Sequence, residues 1–275
     1  MTFGARLRAA MDARGPLCVG VDPHASLLLE WGLSDDVAGC EKFARTAAEA
    51  LGPLVSVVKP QSAFFERFGS RGIAVLEQTI ADLRAAGALV LLDVKRGDIG
   101  STSQAYADAY LDRSSPLAVD AITASPYLGF GSLTPMLDTA RVNDAGVFVL
   151  ALTSNKEGPQ VQHAITADGR PVGGAMLDEL RALNADASPL GSFGAVVGAT
   201  IGEVDERFDI NGPLLAPGYG AQGGTVDDLR RIFGQAAGNV LPSTSRGVLR
   251  AGPTVEGLRE ATLRAQEAVA SLSGS

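Results

Sequence analysis

Eight short apolar runs punctuate the sequence, at residues 17–22, 55–60, 89–95, 118–124, 146–153, 194–200, 213–218 and 240–245. Each is rich in Val, Ile and Leu and has the length of a strand buried on both faces. The segments between them change to a helical period. Residues 36–51 gather Phe43, Ala47, Ala50 and Leu51 on one side, and residues 72–86 repeat Ile73, Leu76, Ile80 and Leu83. Residues 226–233 and 255–272 behave alike, and Gly87, Gly146 and Gly212 stand where helices should stop. Strand then helix, eight times over, predicts an α/β fold, a closed (β/α)8 TIM barrel. The expected organisation is one domain over residues 1–275, with residues 1–16 as a preceding N-terminal helix. A doubly wound open sheet is the runner-up, but it needs fewer units and a switch point.

One connection departs from the pattern. From Ser154 to about Gly174 the chain is rich in Gly, Pro and polar residues and is longer than ordinary connections. It reads either as a surface excursion or as a mobile lid over a site.

Composition narrows the function classes. A chain of 275 residues with 46% apolar and 20% charged positions can bury a sizeable core. Its formal net charge of -8 argues against a nucleic-acid or anionic-membrane partner, although a pocket can still be locally positive. The two cysteines, Cys18 and Cys40, form no CxxC pair, which suits a reducing, cytoplasmic setting. The first fourteen residues lack the apolar stretch of a secretory signal, so a first helix is preferred to a short basic transit segment. No apolar stretch approaches the roughly 18 residues of a membrane span.

In a barrel of this kind the site lies at the C-terminal ends of the strands. Those ends are unusually ionisable here. The first run ends in Asp22 and the second in Lys59. The third ends in Asp93 and Lys95, followed by Asp98, and the fifth leads into Thr153, Ser154, Asn155 and Lys156. The eighth ends in Ser243, Thr244, Ser245 and Arg246. An unpaired charge costs several kcal/mol to bury, so these groups must pair with one another. They form either a structural ion-pair network at the barrel mouth or a reaction centre.

The seventh run opens into Gly218-Tyr219-Gly220-Ala221-Gln222-Gly223, formally GxGxxG. It lies in the seventh unit, and no acidic residue stands about 20 positions on to hold a ribose, so a dinucleotide fingerprint is a poor fit. Two readings stay open: a plain Gly-rich turn, or a phosphate cradle at a helix N-terminus with Arg246 adding a fork of donors. The only histidines are His24 and His163, too few for a His-based metal site, and neither GxSxG nor a Walker motif is present.

The run Asp93-Val94-Lys95-Arg96-Gly97-Asp98-Ile99-Gly100-Ser101-Thr102 resembles the DxKxxDIxxT signature of the orotidine 5'-phosphate decarboxylase family. Residues 58–66, Val-Lys-Pro-Gln-Ser-Ala-Phe-Phe-Glu, are similar to the strand-two lysine segment of its longer-chain bacterial branch. Gly20-Val21-Asp22 and Ala216-Pro217-Gly218 match in order and spacing. The resemblance runs from about residue 17 to 250. It implies conversion of orotidine 5'-monophosphate to uridine 5'-monophosphate and CO2, with no metal and no organic cofactor.

Chemical logic supports that expectation. Loss of CO2 from C6 leaves an electron pair in the ring plane, where the ring π-system cannot delocalise it. A fixed cation is then needed, and Lys95 can be both that cation and the proton donor. Asp93 and Asp98 would favour the charged lysine, and a carboxylate near the substrate carboxylate repels the ground state. By the resemblance Lys59 extends the array, and Asp98 and Thr102 enter the site of a second copy, implying a homodimer. The resemblance makes Asp22 a ribose ligand, Ser154 the pyrimidine reader, and Gln222 and Arg246 phosphate ligands. Ile99, Pro217, Gly218, Gly220 and Gly247 complete the implied substrate contacts. The better-known branch carries its longer lid after strand seven, whereas here the long loop follows strand five.

Three rivals share parts of this pattern. Mg2+-dependent sugar-phosphate lyases of the same superfamily carry DxKxxD but end strand two in a glutamate, where this chain has Lys59. A Schiff-base aldolase wants a neutral lysine, and flanking aspartates push the other way. A catalytically silent phosphate-binding barrel would signal itself by loss of Lys95 or Asp98, and both are present.

Overall fold

In a computed structural model describing residues 1–202, 204–220 and 223–272, each apolar run forms one parallel strand and the sheet closes on itself. The strands are β1 (Cys18–Val21), β2 (Val57–Pro60), β3 (Leu89–Arg96), β4 (Ala121–Ala124), β5 (Gly146–Leu152), β6 (Phe193–Val197), β7 (Leu214–Pro217) and β8 (Val240–Thr244). Neighbours follow chain order, and β1 pairs with β8 through Cys18 and Ser243. The expected TIM barrel is the observed architecture.

Because side chains alternate along a strand, every strand serves two cores. Cys18, Val57, Leu91, Ala121, Phe148, Val196, Leu215 and Leu241 point inward and form a cluster with Phe3, Leu7 and Met11. Their immediate neighbours, among them Val19, Val58, Leu92, Ile122, Val147, Val197, Leu214 and Val240, pack outward against the helices. This explains why the runs are apolar throughout.

The three N-terminal residues of the inner cluster belong to the helix Phe3–Arg14, which closes the lower end of the barrel. Thr2 caps it by accepting from the Ala5 N–H. Arg6 ties its outer side to the Asp120 carboxylate and the Asp144 carbonyl. Burial of Phe3, Leu7 and Met11 contributes about 1.5–3 kcal/mol each to the docking. Gly146 is not the helix stop expected from sequence. It opens β5, and a Cβ there would lie 2.4 Å from the Phe3 ring, so the close approach of plug and strand requires glycine.

The remaining helices follow the predicted periods with small boundary shifts. The expected segments 36–51, 72–86 and 255–272 become Val37–Leu51, capped by Asp36, Gly69–Ala85 and Val255–Val269, the last continued by a 3-10 turn. Val226–Phe233 has the expected bounds.

The sixth unit corrects the expectation of eight strand–helix repeats. Residues 198–213 contain no helix among those described. Ile201, Phe208 and Ile210 bury themselves where a helix face would lie, and Phe208 meets Phe233 edge-on at 5.2 Å. The buried Asn184 holds the return, donating to the carbonyls of Phe193 and Ile210 and accepting from the Phe193 N–H. Gly212 therefore ends a loop rather than a helix.

The long connection after β5 carries a short helix, Pro159–Gln162, and a bridge between Ile165 and Pro171. The next helix, Val172–Leu183, begins before Gly174. Among the described residues no helix is long and apolar enough to cross a membrane.

Candidate active site

The alternation that builds the inner core also builds the site. Two residues beyond Val57 comes Lys59, two and four beyond Leu91 come Asp93 and Lys95, and two beyond Ala121 comes Thr123. Each side chain therefore enters the barrel axis one layer above the apolar cluster. They line a cavity of about 310 Å³ at the C-terminal mouth, together with Asp22, Ser154, Pro217, Gly218, Ser245 and Arg246. Leu150, Val196 and Leu215 supply its apolar wall.

Asp93 is the hub. Its Oδ2 receives Lys59 Nζ at 3.2 Å, and its Oδ1 receives Lys95 Nζ at 2.6 Å and the Thr123 hydroxyl at 2.7 Å. Lys59 and Asp93 are buried, whereas 45% of the Lys95 side chain is exposed to the cavity mouth. Burial opposes ionisation of Asp93, but Lys59, Lys95 and the Thr123 hydroxyl outweigh it and hold its carboxyl well below the usual range. Burial likewise opposes the Lys59 charge, and Asp93 and Asp22 more than compensate, raising its pKa above the ordinary lysine value. Beneath them burial pushes the Cys18 thiol up to about 12, so the floor of the array is neutral.

Lys95 sits at φ 45°, in the left-handed region. Among the described residues the other non-glycines there are Asp144 and Asn211, types that tolerate it; a lysine does so only where its surroundings hold it. The register between β3 and β4 shifts between Leu92 and Arg96. Arg96 braces the far side of this bulge through Glu66, Tyr110 and the Val94 carbonyl.

Asp22 stands just past β1, 6% exposed, and its Oδ1 has no hydrogen-bond partner among the described residues. Asp22 itself lines the cavity, and a carboxylate there with an unmet acceptor is a ready ligand for a hydroxyl. Arg246, at the start of the short helix Arg246–Leu249, lines the cavity and forms no ion pair among the described residues. Gly247 follows it, exposed and outside the cavity lining.

The loop after β7 differs from the expected cradle. Gly218 and Gly220 do adopt positive φ, 97° and 73°, which the tight turn demands. However, the N–H groups of Gly220, Gly223 and Gly224 donate to carbonyls within the loop itself. The following helix is closed by a Thr225–Asp228 capping box, so its N-terminus already has its anion. These amides are consequently not turned toward a ligand. Gly220 is not among the cavity residues, and Gln222 lies outside the described residues.

Asp98, Ile99 and Thr102 do not reach this chain's cavity. Asp98 Oδ1 accepts from the Ile99 N–H at 2.8 Å, Ile99 is 62% exposed, and Thr102 is exposed on the helix Gly100–Leu111. The neighbouring loop after β4 exposes Tyr127 and Leu128 and is joined to this one by the Ser125 N–H, which donates to the Arg96 carbonyl.

His24 packs on the Phe64 ring at 4.1 Å, and burial, helped by Arg246 and Arg67 against Asp22, lowers its pKa. His163 is exposed in the long loop and borders a second cavity of about 220 Å³, between the connections after β5 and β6. Those two connections are fastened by Arg170, which pairs with the Glu206 carboxylate at 3.1 Å.

Sequence reasoning missed Thr123 and Gln61, both lining the main cavity. A lone Thr in an apolar strand carries no motif. Its place two residues beyond the inward Ala121 was the available signal.

The sequence of residues 15–261 matches the family described as orotidine 5'-phosphate decarboxylase / HUMPS. An orotidine 5'-phosphate decarboxylase from a Nocardioides species is 73% identical over 251 residues, covering 90% of this chain and 92% of that protein. One from Streptomyces coelicolor is 65% identical over 263 residues, with 95% of each covered. A crystal structure from Streptomyces avermitilis superposes with a TM-score of 0.97 at 63% identity, over 100% of this chain and 96% of that one. The structure of Leishmania donovani OMP decarboxylase gives a TM-score of 0.80 at 32% identity, with both chains fully covered. With a match that spans nearly the whole barrel and every charged strand end described above, the chain belongs to the orotidine 5'-phosphate decarboxylase / HUMPS family.

Proposed function

We infer that this chain is a carboxy-lyase that converts orotidine 5'-monophosphate to uridine 5'-monophosphate and CO2 in pyrimidine biosynthesis. The observation that carries this reading is the Lys59–Asp93–Lys95 array, two ammonium groups on one buried carboxylate at the mouth of the barrel. The C6–carboxylate bond breaks with its electron pair left on C6, in the ring plane. The Lys95 ammonium stabilises that pair and delivers a proton to it, and its exposed position lets solvent restore the proton. Asp93 keeps the ammonium in place and repels the substrate carboxylate, which is lost in the product.

Asp22 serves the ribose hydroxyls, with its unpartnered buried oxygen as the support for that role. Ser154 reads the pyrimidine from the loop after β5, beside Pro217 and Gly218 across the cavity. Arg246 is the phosphate handle, and by the family resemblance Gly247, Gly220 and Gln222 are its companions. The reaction needs no metal or organic cofactor. The family also includes lyases for which an acidic residue ending strand two would hold Mg2+, but the group at that position here is Lys59, already paired to Asp93.

The working unit in this reading is a homodimer. Asp98, Ile99 and Thr102 stand outside the chain's own cavity, beside exposed apolar residues at Tyr127 and Leu128. A second copy covering that face would receive Asp98 and Thr102 at its own Lys95. A cytoplasmic setting belongs to the same proposal, as Cys18 and Cys40 are free, buried thiols.

The test is direct. Purified protein treated with EDTA is followed for loss of orotidylate absorbance. Undiminished turnover is expected. Activity lost on chelation and restored by Mg2+ would replace this reading with the metal-dependent lyase.

A further inference from the structure

Three features determine the shape of the lysine–aspartate array, and the first two are the ion pairs and the bulge in β3. The third is Thr123, 1% exposed on β4. Its hydroxyl makes two bonds of opposite sense. It donates to Asp93 Oδ1 at 2.7 Å and accepts from the Lys95 backbone N–H at 2.9 Å. A hydroxyl has a single proton. Because the ionised Asp93 carboxylate can only accept, that proton is directed to Asp93, and a lone pair of the hydroxyl is left for the Lys95 N–H.

Both partners need this. The Asp93 carboxylate is free to turn about its own bonds, and turning it would carry Lys95 Nζ away from C6. The Lys95 backbone is in the left-handed region, which a lysine abandons unless something outside it holds the peptide. Thr123 fixes both with one atom, from a strand that carries no other member of the array.

We propose that Thr123 is a positioning residue for the decarboxylation, acting through Asp93 and Lys95 and not on the substrate. This rests on the assignment of Lys95 as the proton donor. Its signature is a change confined to the chemical step. Substrate binding is supplied mainly by Asp22, Ser154 and Arg246, none of which Thr123 touches. Loss of a buried hydrogen bond to a charged group then appears in kcat, as a fall of about 10- to 100-fold, with KM within about threefold.

The experiment compares Thr123→Val, which keeps the shape and removes the hydroxyl, with Thr123→Ser, which keeps the hydroxyl and removes a methyl group. Measurements are kcat, KM for orotidine 5'-monophosphate, the dissociation constant for uridine 5'-monophosphate and the melting temperature. The expected result is low kcat with near-normal binding in T123V, and kcat restored to within about threefold of the parent in T123S. Unchanged kcat in T123V overturns the proposal. Equal loss in both variants, or loss of binding and melting temperature in step with kcat, also overturns it by showing a packing role. If T123V does not fold, Thr123→Ala makes the same comparison against T123S. A parent protein without turnover would instead refute the assigned reaction, and inactive T123S with active T123V would refute the need for the hydroxyl.

Discussion

Lys59 and Lys95 divide a single carboxylate between them, with Lys59 Nζ 3.2 Å from one oxygen of Asp93 and Lys95 Nζ 2.6 Å from the other. The two lysines are not equivalent. Lys59 is sealed in, whereas Lys95 reaches the cavity mouth. One is placed to hold the carboxylate and the other to meet a substrate.

Lys95→Ala is therefore expected to lower kcat by at least about 1,000-fold, since it removes the electrostatic partner of the carbanion and its proton source together. Uridine 5'-monophosphate binding, read by calorimetry, should stay measurable. Turnover within tenfold of the parent would remove Lys95 from its assigned role.

Asp93→Asn leaves Lys59 buried beside a neutral amide and should cost about 3–5 kcal/mol of stability at neutral pH. The sign of the pH dependence follows from the depressed Asp93 pKa. A carboxyl held below its unfolded value contributes fully above that value, near pH 4, and loses its contribution as pH falls toward the lower folded value. Denaturant melts of parent and variant should differ most at pH 6–8 and converge below about pH 4. A gap independent of pH would mean that Asp93 is not stabilised as an anion.

Asp98→Ala and Lys95→Ala subunits, each inactive alone, should regain activity when mixed, because one of the two sites in a hybrid dimer is then intact. At statistical exchange about a quarter of parental activity is expected, half the dimers being hybrid and each hybrid having one complete site. If mass spectrometry shows hybrids and no activity returns, Asp98 does not serve a neighbouring site.

At the opposite end of the barrel, Gly146→Ala should destabilise the fold by about 1–3 kcal/mol through overpacking against Phe3. In a Phe3→Ala background the same change should cost less, leaving the contact with the Ser192 carbonyl at 2.9 Å, and a double-mutant cycle of unfolding free energies measures the difference. Strict additivity would deny the Phe3 contact its importance.

The barrel was legible because strands buried on both faces are written as continuous apolar runs, and because those runs break into charge only where the barrel opens. The same logic exposed Asp22, Lys59, Asp93 and Lys95. The sixth unit was not legible: Ile201, Phe208 and Ile210 reach the core without a helical period, and the side chain that secures them, Asn184, lies in the preceding unit. Nor was the loop after β7, since Gly218 and Gly220 report that a turn is tight and not where its amides point. Thr123 shows a third kind of gap. Its alternation with Ala121 marks it as inward-facing, but its partners Asp93 and Lys95 follow from its register against β3, which β4 alone does not carry.

The pairing of β1 with β8 has a consequence for how the enzyme comes into being. Asp22 is made at the start of synthesis, and Ser245 and Arg246 near its end, yet all three line one cavity. The members of the lysine–aspartate centre come from β2, β3 and β4, but the wall beside Asp22 is complete only when β8 is in place. In the proposed reading the phosphate handle is thus the last part of the site to be synthesised, and a chain that stops short of β8 carries Asp22 and Ser154 without it.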